Sequence, residues 1–189
     1  RAYAYGLDVV QFADNLPLHH LDATELQALQ DLADELDMGI EVGTRGLDRG
    51  ILDAYVLLAL MFHSRALRLV LGESDVARVE LELRWLLPRL EEANLPLAIE
   101  NHGEMSARQL AALIEGLDHP LLRTCVDTAN NLLLVERPSE TVAALAGPAL
   151  QLHLKDYVVL PAPVGYRITR CPLGEGRLDL SETLALVQP

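Results

Sequence analysis

The chain has 189 residues, 50% of them hydrophobic, and a formal net charge of −13 at pH 7. A chain of this length and apolar content can bury a substantial core, so we expect neither disorder nor a fibrous repeat. The negative charge argues against a nucleic-acid partner, because phosphate backbones are bound largely through Lys and Arg. No apolar segment approaches the ~20 uncharged residues that span a bilayer. We therefore predict one cytoplasmic domain over residues 1–189 that binds a small molecule, with no membrane partner.

Short β-like runs recur along the chain at intervals of roughly thirty residues, the length of a βα repeat. There are six of them, at residues 8–14, 39–43, 67–72, 97–103, 123–129 and 150–156. Segments with helical periodicity lie between them. Asp22 is a candidate N-cap for the first helix, and Ser106 with Gln109 forms a capping box before the fourth. Pro88 predicts a kink or break in the helical segment at 74–93.

Alternation within these runs gives one consistently apolar face and one face of polar or small residues. A doubly wound sheet needs both faces apolar, whereas a barrel has an inward face of its own. The pattern therefore predicts a (β/α)₈ TIM barrel. Six βα units are visible where a closed barrel needs eight, so roughly the first and last units are expected to lie outside this chain.

Three of the runs end on side chains that can bind a metal: Glu100, Asp127 and His153, spaced 27 and 26 residues apart. A buried carboxylate is costly unless it is paired, neutralised or bound to a cation. These oxygen and nitrogen ligands suit Mn²⁺, Mg²⁺, Co²⁺ or Zn²⁺. The alternative is a polar core in which the two acids pair with His102, His153 or Lys155. Neither cysteine of the chain is counted as a ligand.

Lys155 shares the inward side with His153, so it could contact an anionic or hydroxylated substrate, or act as a base. Pairing with Asp156 or Glu100 is an equal alternative. The glycine-rich segment at 172–179 precedes a helix start at Asp179 or Ser181. It could cradle a phosphate through backbone N–H groups, or it could be a plain turn with a capping Asp.

The motifs AIENHG, CVDTANN, HLKDY and PLGEGRLD occur in this order from residue 98 onwards. With them the sequence resembles the sugar phosphate isomerase/epimerase group of the xylose-isomerase-like TIM-barrel superfamily. The resemblance implies one divalent metal ion held by Glu100, Asp127, His153 and a fourth ligand, a Glu expected beyond Pro189. It also implies a sugar site lined by His102, Asn130 and Lys155, and a possible homo-oligomer.

The function implied by the resemblance is that of an isomerase or epimerase acting on a ketose or related sugar phosphate. Glu100 would take a proton next to the carbonyl, giving an enediolate. A lyase, dehydratase or decarboxylase acting on a keto-sugar acid or keto-inositol is the main alternative. A related apurinic endonuclease is disfavoured because Asn130 replaces a zinc-binding histidine. A catalytically inactive barrel that binds a sugar or partner protein is the remaining alternative.

Overall fold

The computed structural model describes residues 2–187. Parallel strands alternate with helices along the chain, as the sequence predicts. The first six strands are β1 Val9–Phe12, β2 Gly39–Arg45, β3 Leu67–Val70, β4 Leu97–Glu100, β5 Leu122–Asp127 and β6 Ala149–His153. The helices are α1 Ala23–Glu35, α2 Arg49–Met61, α3 Val76–Ala93, α4 Ala107–Leu117, α5 Pro138–Leu145 and α6 Leu180–Val187.

The chain forms two compact units, the first comprising the residues up to Ile99 together with His119–Leu122. In this unit β2 pairs in parallel with both β1 and β3. The core consists of apolar side chains from the strands and from one face each of α2 and α3. Those that are at most 1% exposed include Val42, Leu52, Tyr55, Leu67, Leu69, Leu83, Leu86 and Leu90.

The sequence predicts a kink or a break at Pro88, and the break is wrong, because α3 continues through this residue. The kink stays a prediction. Proline removes one N–H from the helix, which leaves the carbonyl group of Arg84 without its usual donor. Both residues lie on the exposed side of α3, where water can hydrogen-bond to that carbonyl group. The apolar residues on the other face of α3 keep it packed against the core.

The second unit comprises Glu100–Asp118 and the chain from Arg123 onwards. Here β5 and β6 pair in parallel, with Asp127 opposite His153. The predicted capping box before α4 is confirmed, since Ser106 and Gln109 bond each other's backbone N–H groups. Asp179 accepts from the N–H group of Glu182, so it caps α6 as predicted.

The second unit also contains a feature that the sequence analysis does not predict, an antiparallel hairpin of β7 Asp156–Pro161 and β8 Tyr166–Cys171. It begins directly after Lys155. Most of its side chains are exposed, including Tyr166 at 77% and Val164 at 93%. Within residues 2–187, no helix combines the length and apolar character needed to cross a bilayer.

Candidate metal centre

Glu100, Asp127 and His153 are the last residues of β4, β5 and β6, and all three belong to the second unit. Parallel strands bring their carboxyl ends to one edge of a sheet, which is where TIM-barrel enzymes carry their active sites. Glu100 is 3% exposed and Asp127 is fully buried. The His153 side chain is 29% exposed, so this member of the group is accessible to solvent.

The structure brings the three predicted ligands together. The Nδ1 atom of His153 lies 3.5 Å from Oε2 of Glu100 and 4.0 Å from Oδ2 of Asp127. Among the described residues, one compact set of possible ligand atoms contains a residue that the sequence analysis leaves out. One atom each from Glu100, Cys125 and His153 lie within 4.8 Å of one another. Cys125 precedes Asp127 by two residues on β5, so the two side chains point to the same face.

The two oxygens of Asp127 have different partners. Oδ1 accepts hydrogen bonds from the backbone N–H groups of Ala129 and Asn130, at 2.9 and 2.8 Å. Oδ2 contacts the ammonium group of Lys155 and faces His153. The backbone thus fixes the side chain through one oxygen and leaves the other among charged or metal-binding groups.

Asn130 links Glu100 to Lys155. Its Nδ2 donates to Oε1 of Glu100 and to the carbonyl oxygen of Asn101, each at 3.0 Å. Its Oδ1 accepts from Nζ of Lys155 at 3.0 Å. Both amide N–H groups are therefore used within the protein, and only the carbonyl oxygen retains capacity for another bond. The substrate contact predicted for Asn130 stays a prediction, restricted to an acceptor role.

The imidazole group of His102 has a different neighbour. Its Nδ1 lies 3.6 Å from Oε1 of Glu104, and its side chain is 34% exposed. His102 is absent from the compact set of Glu100, Cys125 and His153. Its role in lining a substrate site remains a prediction from the resemblance.

Two polar residues that the sequence analysis does not single out hold the strand ends in place. Asn101 bonds both backbone groups of Asp127: its Oδ1 accepts from the N–H at 2.7 Å and its Nδ2 donates to the C=O at 2.9 Å. The hydroxyl group of Thr128 donates to the Lys155 carbonyl at 3.0 Å and accepts from the Lys155 N–H at 2.9 Å. The sequence shows only that polar residues follow the strands.

The glycine-rich segment at 172–179 is a turn bound to Asp156, a buried residue that is 2% exposed. Oδ1 of Asp156 accepts from the N–H groups of Tyr157 and Leu178, and Oδ2 accepts from those of Gly174 and Gly176. These hydrogen bonds, that from Leu178 foremost, hold the pKa of Asp156 below its ordinary value. The plain-turn alternative is therefore favoured, because a protein carboxylate occupies the N–H groups that a phosphate would need.

The fold, the sequence motifs and the strand-end carboxylates agree with one family model, that of the xylose isomerase-like TIM barrel, which matches residues 1–188. This chain belongs to that family. This chain is similar in sequence to the 3-oxo-isoapionate decarboxylase of Pectobacterium atrosepticum. The two are 29% identical over 190 residues, which is 97% of this chain and 69% of the decarboxylase.

Solved structures of the same fold include three informative neighbours. A xylose isomerase domain protein from Planctomyces limnophilus has a TM-score of 0.80 at 19% identity, covering 98% of this chain and 79% of that chain. A D-psicose 3-epimerase from Clostridium cellulolyticum with D-tagatose scores 0.74 at 15% identity, covering 98% and 73%. The IolI protein with a bound zinc atom scores 0.74 at 14% identity, covering 98% and 76%. At these identities the structures establish the fold.

Proposed function

We propose that this family member is a divalent-metal-dependent enzyme that forms an enediolate from a ketose or a related keto-sugar acid. The observation that carries the proposal is the meeting of two buried carboxylates, Glu100 and Asp127, with the His153 imidazole at the strand ends. Burial of two carboxylates is stabilised by a nearby cation. Lys155 supplies one positive charge beside Asp127, and a divalent ion would supply the rest.

The ligand set fits such an ion. Glu100 and Asp127 offer carboxylate oxygens and His153 a ring nitrogen, which together suit Mn²⁺, Mg²⁺, Co²⁺ or Zn²⁺. When bound, the ion would act as a Lewis acid that stabilises negative charge on the substrate oxygens. The zinc atom in the IolI structure is in keeping with this proposal, although identity at that level transfers only the fold.

The roles of the protein groups follow from their positions. Glu100 is the proposed base, because a buried carboxylate fixed by Asn130 is oriented for transfer of a proton from a carbon next to a carbonyl group. Lys155 uses its ammonium group to hold Asp127 and Asn130. An ammonium group has three donors, so a third can hydrogen-bond to a substrate oxygen. His102 and the remaining acceptor of Asn130 are the other proposed contacts.

Isomerisation or epimerisation and decarboxylation share this enediolate, and they differ in how it forms and in which carbon then receives a proton. In the first, a proton returns to another carbon or face; in the second, loss of carbon dioxide creates the enediolate and one acid then protonates it. The 29% identity with 3-oxo-isoapionate decarboxylase over 97% of this chain favours the second outcome. We therefore propose the decarboxylation of a keto-sugar acid as the alternative to be tested directly.

The test uses the metal-loaded protein with a panel of ketoses and 3-keto sugar acids in deuterated water. Proton NMR detects exchange of a carbon-bound proton, and a coupled assay detects carbon dioxide. Exchange without carbon dioxide indicates an isomerase or epimerase, while release of carbon dioxide with deuterium incorporated at the carbon that carried the carboxylate indicates a decarboxylase. Glu100→Gln should lower either rate at least ~100-fold, because general acid and base groups contribute about 10²–10⁴-fold. The exposed Glu115→Gln is the matched control, and equal rates for both variants would contradict the role of Glu100.

A further inference from the structure

A chain of side-chain hydrogen bonds leads from Glu136 to the metal centre. Glu136 lies two residues after the short 3₁₀ helix Asn130–Leu134, and its Oε2 accepts a hydrogen bond from Nδ2 of Asn131 at 2.6 Å. Oδ1 of Asn131 in turn accepts from Nδ2 of Asn101 at 3.2 Å. Asn131 is 1% exposed and Asn101 is 2% exposed. The chain ends on the backbone of Asp127, because Asn101 bonds both its N–H and its C=O.

The carboxylate of Glu136 sets the polarity of this chain. A carboxylate only accepts hydrogen bonds, whereas an asparagine side chain has one accepting and one donating end. Asn131 therefore turns its Nδ2 toward Glu136 and its Oδ1 toward Asn101. Asn101 then presents its own Nδ2 to Asn131, which leaves its Oδ1 for the N–H group of Asp127. One negative charge thus selects a single orientation for two amides, each of which has two orientations of similar shape.

Asn101 connects the two carboxylate ligands of the metal centre. It directly follows Glu100 in the chain, and its side chain bonds the backbone of Asp127. The orientation of its amide therefore fixes how far apart Glu100 and Asp127 lie. Rotation of the amide would set its Nδ2 against the N–H group of Asp127 and its Oδ1 against the C=O group. Ligands must be held within about 0.5 Å of the productive geometry, so even a small displacement would weaken metal binding.

We propose that Glu136 is a positioning residue of the metal centre, which acts through Asn131 and Asn101 on the spacing of Glu100 and Asp127. The inference rests on the proposed function, because it needs a metal ion at these ligands. It adds to that function a charged group that contacts neither the ion nor the substrate. Buried partners of this kind orient the ligands and are part of a working metal site.

Glu136 also binds the N-terminus of α4. Its Oε1 and Oε2 lie 3.3 and 3.1 Å from the backbone nitrogen of Ala107, the first residue of this helix, and accept its N–H group. The positive end of the helix dipole favours a negative charge at this place. A role confined to this contact would affect the stability of the fold alone. The test must therefore measure metal affinity and stability separately.

The experiment measures the affinity for Mn²⁺ by isothermal titration calorimetry, with a thermal melt of each protein. Glu136→Gln replaces the acceptor-only group with an amide and should weaken Mn²⁺ binding about 10-fold, since partners that orient metal ligands contribute 10–100-fold. Asn131→Asp sets a second carboxylate against Glu136 and should cause a similar loss. Glu140→Gln is the matched control, because the Glu140 side chain is 66% exposed. It should leave the affinity unchanged.

The two substitutions combined give the decisive result. Glu136→Gln together with Asn131→Asp moves the negative charge one position along the chain. The introduced amide can donate to the introduced carboxylate, which still accepts from Asn101. Mn²⁺ affinity should therefore return to within ~3-fold of the wild type, although each single substitution weakens binding. This recovery would not follow from a role limited to the N-terminus of α4.

Unchanged affinity in Glu136→Gln would overturn the role of Glu136 and leave the metal centre standing. A combined variant that binds Mn²⁺ no better than the single variants would do the same. Absence of Mn²⁺ binding to the wild type would overturn both the role of Glu136 and the metal centre. The combined variant decides the question even where Glu136→Gln folds poorly, because it restores the polarity of the chain.

Discussion

Two buried aspartates of the second unit show how similar sequence features lead to different roles. Asp156 uses both carboxylate oxygens to accept four backbone N–H groups, including those of Gly174 and Gly176. Asp127 uses only Oδ1 in this way, and its Oδ2 faces Lys155 and His153. Both side chains follow or end a strand, and both are at most 2% exposed.

The comparison shows that burial of a carboxylate does not by itself mark a functional site. Backbone N–H groups satisfy Asp156 completely, so it fixes a turn and has no oxygen for a ligand. In Asp127 only one oxygen, Oδ1, accepts backbone N–H groups. The other, Oδ2, is directed at the Lys155 ammonium group and the His153 imidazole. The direction of the second oxygen separates a structural acid from a candidate ligand.

The largest expected effect separates the two aspartates by metal affinity. Asp127→Asn should weaken binding of Mg²⁺ or Mn²⁺ at least ~100-fold, because it removes a charged oxygen ligand. Asp156→Asn should change the same affinity less than ~3-fold, because its oxygens face the glycine-rich turn. Isothermal titration calorimetry of both variants provides the measurement. Equal losses in the two variants would break the distinction between them.

A second prediction concerns the turn that Asp156 fixes. A Cβ atom on Gly176 would lie 2.2 Å from Oδ1 of Asp156 and 2.5 Å from the carbonyl oxygen of Tyr157. Gly176→Ala should therefore lower the free energy of unfolding by about 2 kcal/mol, as overpacking does in other sites. Gly147→Ala is the control, because nothing lies within 4 Å of its added Cβ. Chemical denaturation showing equal stability for both variants would contradict the tight packing.

A smaller effect is expected for Asn130, which hydrogen-bonds to Glu100 and donates its backbone N–H to Asp127. Residues that orient metal ligands usually contribute 10–100-fold to affinity. Asn130→Ala retains the backbone bond, so we expect a loss at the lower end, about 10-fold. Metal titration together with a thermal melt separates this from unfolding. Unchanged affinity would show that the amide does not orient Glu100.

The smallest effect is a pH dependence at Asp156. Its pKa is held below the ordinary value of 3.8, chiefly by the hydrogen bond from Leu178. The carboxylate therefore stabilises the folded protein fully above that value, and the contribution is lost as pH falls through the lower folded-state pKa. The stability difference between wild type and Asp156→Asn should be largest at neutral pH and should shrink in this acid range. A constant difference from pH 7 to pH 2 would argue against the assignment.

The sequence predicts the parts of this molecule that depend on periodicity. The six parallel strands, the caps at Asp22, Ser106 and Asp179, and the meeting of Glu100 with His153 all follow from spacing and strand-end position. The hairpin β7–β8 was missed because its side chains are mostly exposed and show no buried alternation. Asp156 as the anchor of the turn was missed because its partners lie 18–22 residues away along the chain.

The composition of the candidate site was predicted in part. Residue type indicated Glu100, Asp127 and His153, but it gave no reason to include Cys125, whose proximity depends on strand register. The backbone clamps made by Asn101 and Thr128 are likewise tertiary features. Amides and hydroxyls occur after many strands, so their partners become evident only when the strands are paired.

The central claim is that the ends of β4, β5 and β6 hold a divalent metal ion, and the most direct test is the metal content of the purified protein. Mass spectrometric analysis should find about one Mn, Co, Mg or Zn ion per wild-type chain, and little in Glu100→Gln or His153→Ala. The Glu115→Gln control should match the wild type. No bound metal in the wild type, and no rise in melting temperature with any of these ions, would contradict the claim.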